Sequence, residues 1–379
     1  MNRLLTNAQI VLDDRVIAGS VSIDGNAIST VLDAKADQSG FDCEGDFLLP
    51  GLIDIHTDNL EVHVHPRPTV QWPEMLAAVI GHDWQVLGSG ITTVFDSVSI
   101  GDFHSGGKRS AMLDKAIGAI EQARSAGVLK VDHFLHLRCE LCDPNVMSVV
   151  ERHIDNPAVR LVSMMDHTPG QRQWHDTVRF REMYKKKGVR IWTDEEFESD
   201  MTIWRKQQAK IVPGHRATLR KLCEARGIPM ASHDDTTVAD VDEARDDGIL
   251  ISEFPTTVAA AERARAVGMK NVMGSPNIIL GGSHSGNVSA AHLSDLGLLD
   301  MLTSDYVPGS LLHAAFKIAN GGVELAKAIA MVTSTPAELL HLTDRGRIAE
   351  GLRADLLRVR LVDGVPVIKN VWVAGRQYM

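Results

Sequence analysis

The run Leu49-Pro50-Gly51-Leu52-Ile53-Asp54-Ile55-His56-Thr57-Asp58 narrows the possible folds more than any other segment of the chain. It is apolar, of strand length, and ends abruptly in an imidazole and a carboxylate. Strands apolar on both faces belong to parallel sheets covered on both sides. Residues two apart on a strand point to the same face, so His56 and Asp58 project together from its carboxyl end. In a barrel of parallel strands, that end carries the chemistry. An imidazole and a carboxylate converging on one point are what a divalent metal needs.

The rest of the middle of the chain repeats the strand-then-helix pattern of parallel βα units. Candidate strands are Leu48 to Ile55, Ile91 to Val98, Val131 to Leu141, Val159 to Met165, Pro229 to Ser232, Ile249 to Glu253, Asn271 to Met273 and Leu299 to Ser304. Amphipathic stretches such as Ser110 to Ser125 and Arg216 to Arg226 lie between them. Eight such units favour a closed barrel over an open sheet. The polar, Trp-containing segment from Gln171 to Pro213 reads as an insertion over the site. Both ends of the chain are different, with short β-like runs separated by turns such as Asp24-Gly25-Asn26 and Asp363-Gly364. The expected organisation is an α/β chain: a distorted (β/α)8, TIM-like barrel over 49–343 and a small composite β-sandwich from 1–48 and 344–379.

The residues closing the candidate strands carry the chemistry. Besides His56 and Asp58 they include Arg138 and Glu140, Asp166 and His167, His233 with Asp234 and Asp235, and Asp305. One strand-end His is more often a hydrogen-bonded structural residue than a ligand. Several buried imidazoles and carboxylates together are costly without a metal or strong pairing. Mixed His and carboxylate donors suit zinc, manganese or iron better than magnesium. One ion is enough to give a hydroxide nucleophile near neutral pH, and a bridging carboxylate would allow two; Asp305 is the expected base.

Composition excludes other classes. A net charge of -10 over 379 residues argues against a general nucleic-acid binder. No apolar run approaches the roughly 20 residues of a membrane span, and polar Thr6 and Asn7 interrupt any signal-peptide core. Four cysteines in so long a chain do not make a disulfide framework, and the lone Cys139-x-x-Cys142 reads as packing thiols. The cytoplasm is the expected location.

The motifs Pro50-Gly51-Leu52-Ile53-Asp54-Ile55-His56, strand-end His167 and His233, Ser304-Asp305 and the tail Gly346 to Leu356 together resemble the amidohydrolase superfamily of metal-dependent hydrolases. His56-Thr57-Asp58-Asn59-Leu60-Glu61, Pro66-Arg67-Pro68, Trp72-Pro73, Asp166 to Gln171, Ser232 to Asp235 and Gly274 to Asn277 resemble, more narrowly, the PhnM family of phosphonate catabolism. The resemblance implies hydrolysis of α-D-ribose 1-methylphosphonate 5-triphosphate. Diphosphate is released, and the 5-phosphate passes to the carbon–phosphorus lyase pathway. It implies a zinc-type site of one or two ions held by His56, Asp58, Glu140, His167, His233 and Asp305, with Glu140 standing in for a carbamylated lysine. The usual His-x-His is here His56-x-Asp58. The superfamily places its two later histidines after strands five and six, which implies one further strand between 143 and 213.

A triphosphate demands fixed cations. Arg67, Arg138 and Arg172 are the expected contacts, and Lys185 to Lys187 more resembles a solvated face. The loop Gly281 to Asn287 reads equally as a phosphate cradle, through Ser283 and His284, or as a surface turn. The partner is a small phosphorylated molecule, and a homo-oligomer, a dimer, is expected. The alternatives are another amidohydrolase activity, such as nucleobase deamination or cyclic amide hydrolysis, and a non-catalytic scaffold that has lost its ligands. A triphosphate site predicts several cations around the mouth, whereas a deaminase pocket is largely apolar and closes on a planar base.

Overall fold

A computed structural model describes residues 3–34, 40–101, 108–186, 188–283 and 286–379 of the chain. Its centre is a barrel of eight strands: β1 (Leu52–Thr57), β2 (Ile91–Ile100), β3 (Asp132–Glu140), β4 (Val159–Met165), β5 (Met230–His233), β6 (Ile251–Glu253), β7 (Lys270–Gly274) and β8 (Met301–Thr303). Each strand pairs in parallel with its neighbours in chain order. The ring closes where Thr57 bridges Asp305. There the Asp305 N–H donates to the His56 carbonyl at 3.0 Å and the Asp58 N–H to the Asp305 carbonyl at 2.8 Å. Buried Asp54 reinforces the seam, its Oδ1 accepting from Thr303 Oγ1 at 2.6 Å and Ser304 N at 3.0 Å. Ile53, Ile55, Phe95, Leu161, Ile251 and Met301 fill the lumen below the mouth. The opposite strand faces pack on the helices: Leu135 and Leu137 of β3, for example, join a cluster with Ile117 and Ile120 of the helix Lys108–Ser125.

Both termini build a second sheet. Its order is Arg376–Gln377, Val365–Val373, Leu356–Val362, Phe47–Pro50, Arg3–Val11, Val16–Asp24 and Ala27–Leu32, with Phe41–Asp42 alongside Arg3–Val11. The segment 352–354 links the two ends of the sheet, Ile28 N–H donating to the Leu352 carbonyl and Gly375 N–H to that of Ala354. Leu5, Ile10, Ile23, Leu48 and Trp372 fill its interior.

Two expectations need correction. The stretch Leu48 to Ile55 is two strands in different sheets, divided at Pro50-Gly51. Proline lacks an N–H to continue a ladder. A Cβ at Gly51 would stand 2.2 Å from the Thr92 hydroxyl, so only glycine lets the chain pass this close to β2 where it changes sheets. The further strand between 143 and 213 is absent among the described residues. After β4 the chain forms a short turn of helix (Arg172–Trp174), Thr177–Lys186 and Asp194–Glu224, and the barrel closes with the eight strands already named. The helix Asp194–Glu224 begins at a capping box of Thr193 and Glu196 and runs through Pro213, where the sequence had suggested a boundary. Phe180, Trp192, Phe197 and Met201 give this insertion a small core of its own. No described helix is long and apolar enough to cross a membrane.

Candidate metal centre

Three strands end in the same way. Asp234, Phe254 and Asp305, which follow β5, β6 and β8, adopt left-handed backbone angles of φ +57°, +57° and +56°. Each still donates its N–H to the adjacent strand: Asp234 to the Glu253 carbonyl, Phe254 to that of Val272 and Asp305 to that of His56. A non-glycine residue in this region costs roughly 1–2 kcal/mol. The repeated strain turns the chain sharply at the mouth while keeping the ladder intact, as happens where a site over-determines its backbone.

The histidines converging there are oriented by buried carboxylates. Glu253, wholly buried, accepts from both His56 Nδ1 at 2.7 Å and His233 Nδ1 at 2.8 Å, one oxygen for each ring. Glu140 does the same for His167, whose Nδ1 lies 2.5 Å from Oε2 and whose backbone N–H donates to Oε1 at 3.0 Å. With the proton on Nδ1, a neutral ring keeps its Nε2 lone pair for another partner. His56 and His233 stack with an interplanar angle of 15°, and His167 meets His233 edge-on.

The donor atoms gather in two groups, His56 with Asp58 and Asp305, and His167 with His233 and Asp234, all within 4.8 Å of one another inside each group. His56 Nε2 lies 3.7 Å from Asp58, His167 Nε2 3.7 Å from Asp234, and His233 Nε2 3.5 Å from Asp234. These separations are too long for hydrogen bonds. They match two donors sharing one tetrahedral ion at about 2.0–2.2 Å from each. The charges point the same way: Asp58, Asp234 and Asp305 face the mouth and Glu140 and Glu253 stand behind its histidines, while a single guanidinium, that of Arg138, lines the cavity among the described residues. Burial works against a charged ring at His56, but the Glu253 and Asp58 carboxylates together outweigh it and raise the pKa to about 10. His167 is likewise raised to about 10, burial being outweighed by Glu140 and Asp234. Burial opposes the charged form of Glu140 too, yet His167 holds its pKa down at about 2. The pocket is built to hold positive charge, and this donor set fits a divalent ion.

The structure sorts the residues expected from sequence. His56, His233 and Asp305 line a cavity of about 180 Å³ at the mouth, and His167 faces it beside Asp234. Glu140 is directed at His167 and accepts from Cys142 Sγ at 3.0 Å, grouping with Cys142 and Asp166 rather than with either set at the mouth. Asp58 belongs to the first group but also receives Arg138 Nη1 on both oxygens, at 2.8 and 2.9 Å. Arg138 shares the lumen-facing side of β3 with Glu140 and reaches the cavity, as does Ser283. His284 lies outside the described residues. Arg172 is a correction: it is buried, with its guanidinium spent on Asp235 and on Glu243 Oε2 at 2.9 Å, away from the cavity. Arg67 is exposed on a turn paired to Val70 and does not line the cavity. Arg138 is therefore the sole cation lining it among the described residues, fewer than a triphosphate site was expected to show. Lys185 and Lys186 are exposed, as a solvated face requires. All four cysteines are buried and unpaired.

Two residues of the site escaped the sequence reading. The sequence assigns no role to Glu253, the last residue of a candidate strand, or to Asp234 beside His233. The only local signal for either is a carboxylate at or just beyond a strand end.

Comparison with known proteins agrees with this geometry. The model of the amidohydrolase family matches residues 47–378. The α-D-ribose 1-methylphosphonate 5-triphosphate diphosphatase of Escherichia coli (strain K12) is 43% identical over 378 residues, 99% of both chains. A dihydroorotase of Latilactobacillus sakei is 22% identical, covering 94% of this chain and 89% of its own. The solved 5-methylcytosine deaminase of Klebsiella pneumoniae shares the fold, with a TM-score of 0.66 at 14% identity over 99% of this chain and 97% of that one. With the family model spanning both the barrel and the closing strands of the second sheet, the chain belongs to the amidohydrolase family, whose members are generally metal-dependent.

Proposed function

We infer that the protein hydrolyses α-D-ribose 1-methylphosphonate 5-triphosphate to the 5-phosphate and diphosphate, as a metal-dependent enzyme of phosphonate catabolism. The observation that carries this reading is whole-chain identity of 43% to the relative bearing that activity's name. The site is consistent with it. His56 and Asp305, with Asp58, would hold one ion, and His167, His233 and Asp234 a second; zinc suits these donors, with manganese or iron as alternatives. A bound divalent ion supplies Lewis acidity, offsetting phosphate charge and lowering the pKa of water.

The chain's own groups do the rest. Glu253 and Glu140 hold the Nδ1 protons and so fix which face of each imidazole meets the mouth. Asp305 takes the proton of the attacking water as the phosphoanhydride between the first and second phosphorus breaks, and diphosphate leaves with the bonding electrons. Arg138 stands at the cavity wall, where negative charge develops. Polar side chains such as Gln173, Asn277 and Asn287 at the rim suit a phosphorylated substrate better than a planar base held in an apolar slot. The test is turnover of the ribosyl triphosphate, scored as diphosphate release, beside cytosine, adenine and dihydroorotate. Diphosphate from the first alone is expected; turnover of a base or of dihydroorotate without diphosphate release overturns the reading.

A further inference from the structure

Three carboxylates face the mouth and two more stand behind its histidines, and the one lining cation among the described residues already faces Asp58. A triphosphate brings several more negative charges, and the barrel strands offer nothing further to meet them.

The insertion between β4 and β5 does. Its aromatic core packs Phe180 against Tyr184, Trp192 and Trp204 with centroids 4.3–6.1 Å apart, locking the helix Thr177–Lys186 to Asp194–Glu224. Two arginines are the chain neighbours of those rings: Arg179 precedes Phe180 and Arg205 follows Trp204. Each guanidinium lies against a loop glycine. At Gly286 (φ +71°) a Cβ would stand 2.7 Å from Arg179 Nη2, and the same loop contributes Ser283 and Asn287 to the cavity wall. At Gly170 (φ +98°), just beyond His167, a Cβ would meet Arg205 Nε and Nη2 at 3.6 Å. Arg172, Arg181 and Arg190 of the same segment pair with Asp235, Asp194 and Asp200. Among the described residues, no carboxylate lies within ion-pair distance of Arg179 or Arg205.

We propose that Arg179 and Arg205, held on the aromatic core of the insertion, clamp the polyphosphate end of the substrate beside Gly286 and Gly170. The proposal rests on the triphosphate reading above and names the cations that reading requires. A planar guanidinium grips phosphate oxygens in pairs, and a glycine, having no Cβ, leaves each guanidinium its place beside the backbone.

The test uses zinc-loaded full-length enzyme with Arg179→Gln, Arg205→Gln and both together, and Lys185→Gln as a control for net charge. Inorganic tripolyphosphate is the probe, by calorimetry and as an inhibitor. Each single variant is expected to weaken tripolyphosphate binding, and to raise KM for the ribosyl triphosphate, by about tenfold or more, the loss of one charge-assisted bond. Zinc content, melting temperature and kcat should stay near wild type, and Lys185→Gln should bind normally. Unchanged tripolyphosphate binding in the folded double variant overturns the clamp, as does an equal loss in Lys185→Gln. Absence of diphosphate release by the wild type overturns the triphosphate reading instead, and the calorimetry still decides on the clamp.

Discussion

Glu253→Gln isolates the least visible part of the site. The side chain is wholly buried, and its two oxygens each accept from one Nδ1, that of His56 and that of His233. Glutamine has the same shape but only one acceptor; its other terminus is an NH2 donor. One ring must then face a donor with its Nδ1, and it can do so only by moving its proton to Nε2. That proton occupies the lone pair otherwise offered to the mouth. Removing a group that orients a metal-bound histidine weakens binding by about 10–100-fold. At about 1.4 kcal/mol per decade this is roughly 1.4–2.8 kcal/mol, in line with the roughly 1.5–3 kcal/mol of one hydrogen bond to a charged group. Competition against a chelator of known zinc affinity measures the shift, with circular dichroism confirming the fold. A folded Glu253→Gln that binds zinc as wild type does would show that Glu253 does not set the tautomers and refute the argument.

Other perturbations probe separate parts of the structure. Asp305→Asn removes the expected base and should lower kcat by about 10²–10⁴-fold; full hydrolysis with full metal content would place the site elsewhere. Asp54→Asn should change stability by no more than about 1 kcal/mol, because burial already raises the Asp54 pKa and the amide keeps the Oδ1 acceptor, whereas Asp54→Ala orphans the Ser304 N–H at about 1–3 kcal/mol while the Thr303 hydroxyl turns to the His56 carbonyl; chemical denaturation separates the two. His133, buried between Asp96 and Asp83 behind the barrel wall, is disfavoured as a cation by burial but raised to about 9 by those carboxylates, with His82 on the far side of Asp96. Because its folded pKa exceeds the unfolded value of about 6.5, the stability it confers is full below that value and is lost as pH rises through about 9. The melting temperature of wild type should therefore fall towards that of His133→Gln between pH 7 and 10, and parallel curves would contradict this.

Much of this architecture was legible because its signals are local. The apolar run into His56, the alternation of strands and helices, and the ligand-type residues at the strand ends need only period and spacing. The split of Leu48 to Ile55 was also written in the chain, as a proline without an N–H followed by a glycine in close contact with β2. What escaped depends on distant partners. Glu253 ends a strand of three residues, and its role exists only because β1 and β5 bring two rings to its two oxygens. Arg172 follows the His167 loop and looked like a substrate contact. Its backbone instead turns left-handed at φ +47°, and Asp235 and Glu243, more than sixty positions on, take the side chain. No pattern in the neighbourhood of Arg172 announces either carboxylate.

The departure from His-x-His at Asp58 is explained by the same kind of distant partner. Asp58 sits 3.7 Å from His56 Nε2 and accepts twice from Arg138, which holds its carboxyl well below the usual range despite the opposing effect of burial. The pair is close to neutral as a unit, so the mouth keeps the surplus carboxylates of Asp234, Glu253 and Asp305 without an extra cation to oppose them. Restoring the commoner pattern with Asp58→His would therefore do harm. It strands the Arg138 guanidinium, whose Nε already has no partner, beside an imidazole donor. Leaving a largely buried charge unpaired costs about 3–5 kcal/mol, less here because Asp58 is part-exposed. The single variant should melt lower and bind zinc more weakly than wild type, and Asp58→His with Arg138→Met should recover the metal while losing turnover. If Asp58→His alone matched wild type in melting and in zinc affinity, Asp58 would be neither the counter-charge of Arg138 nor part of the donor set.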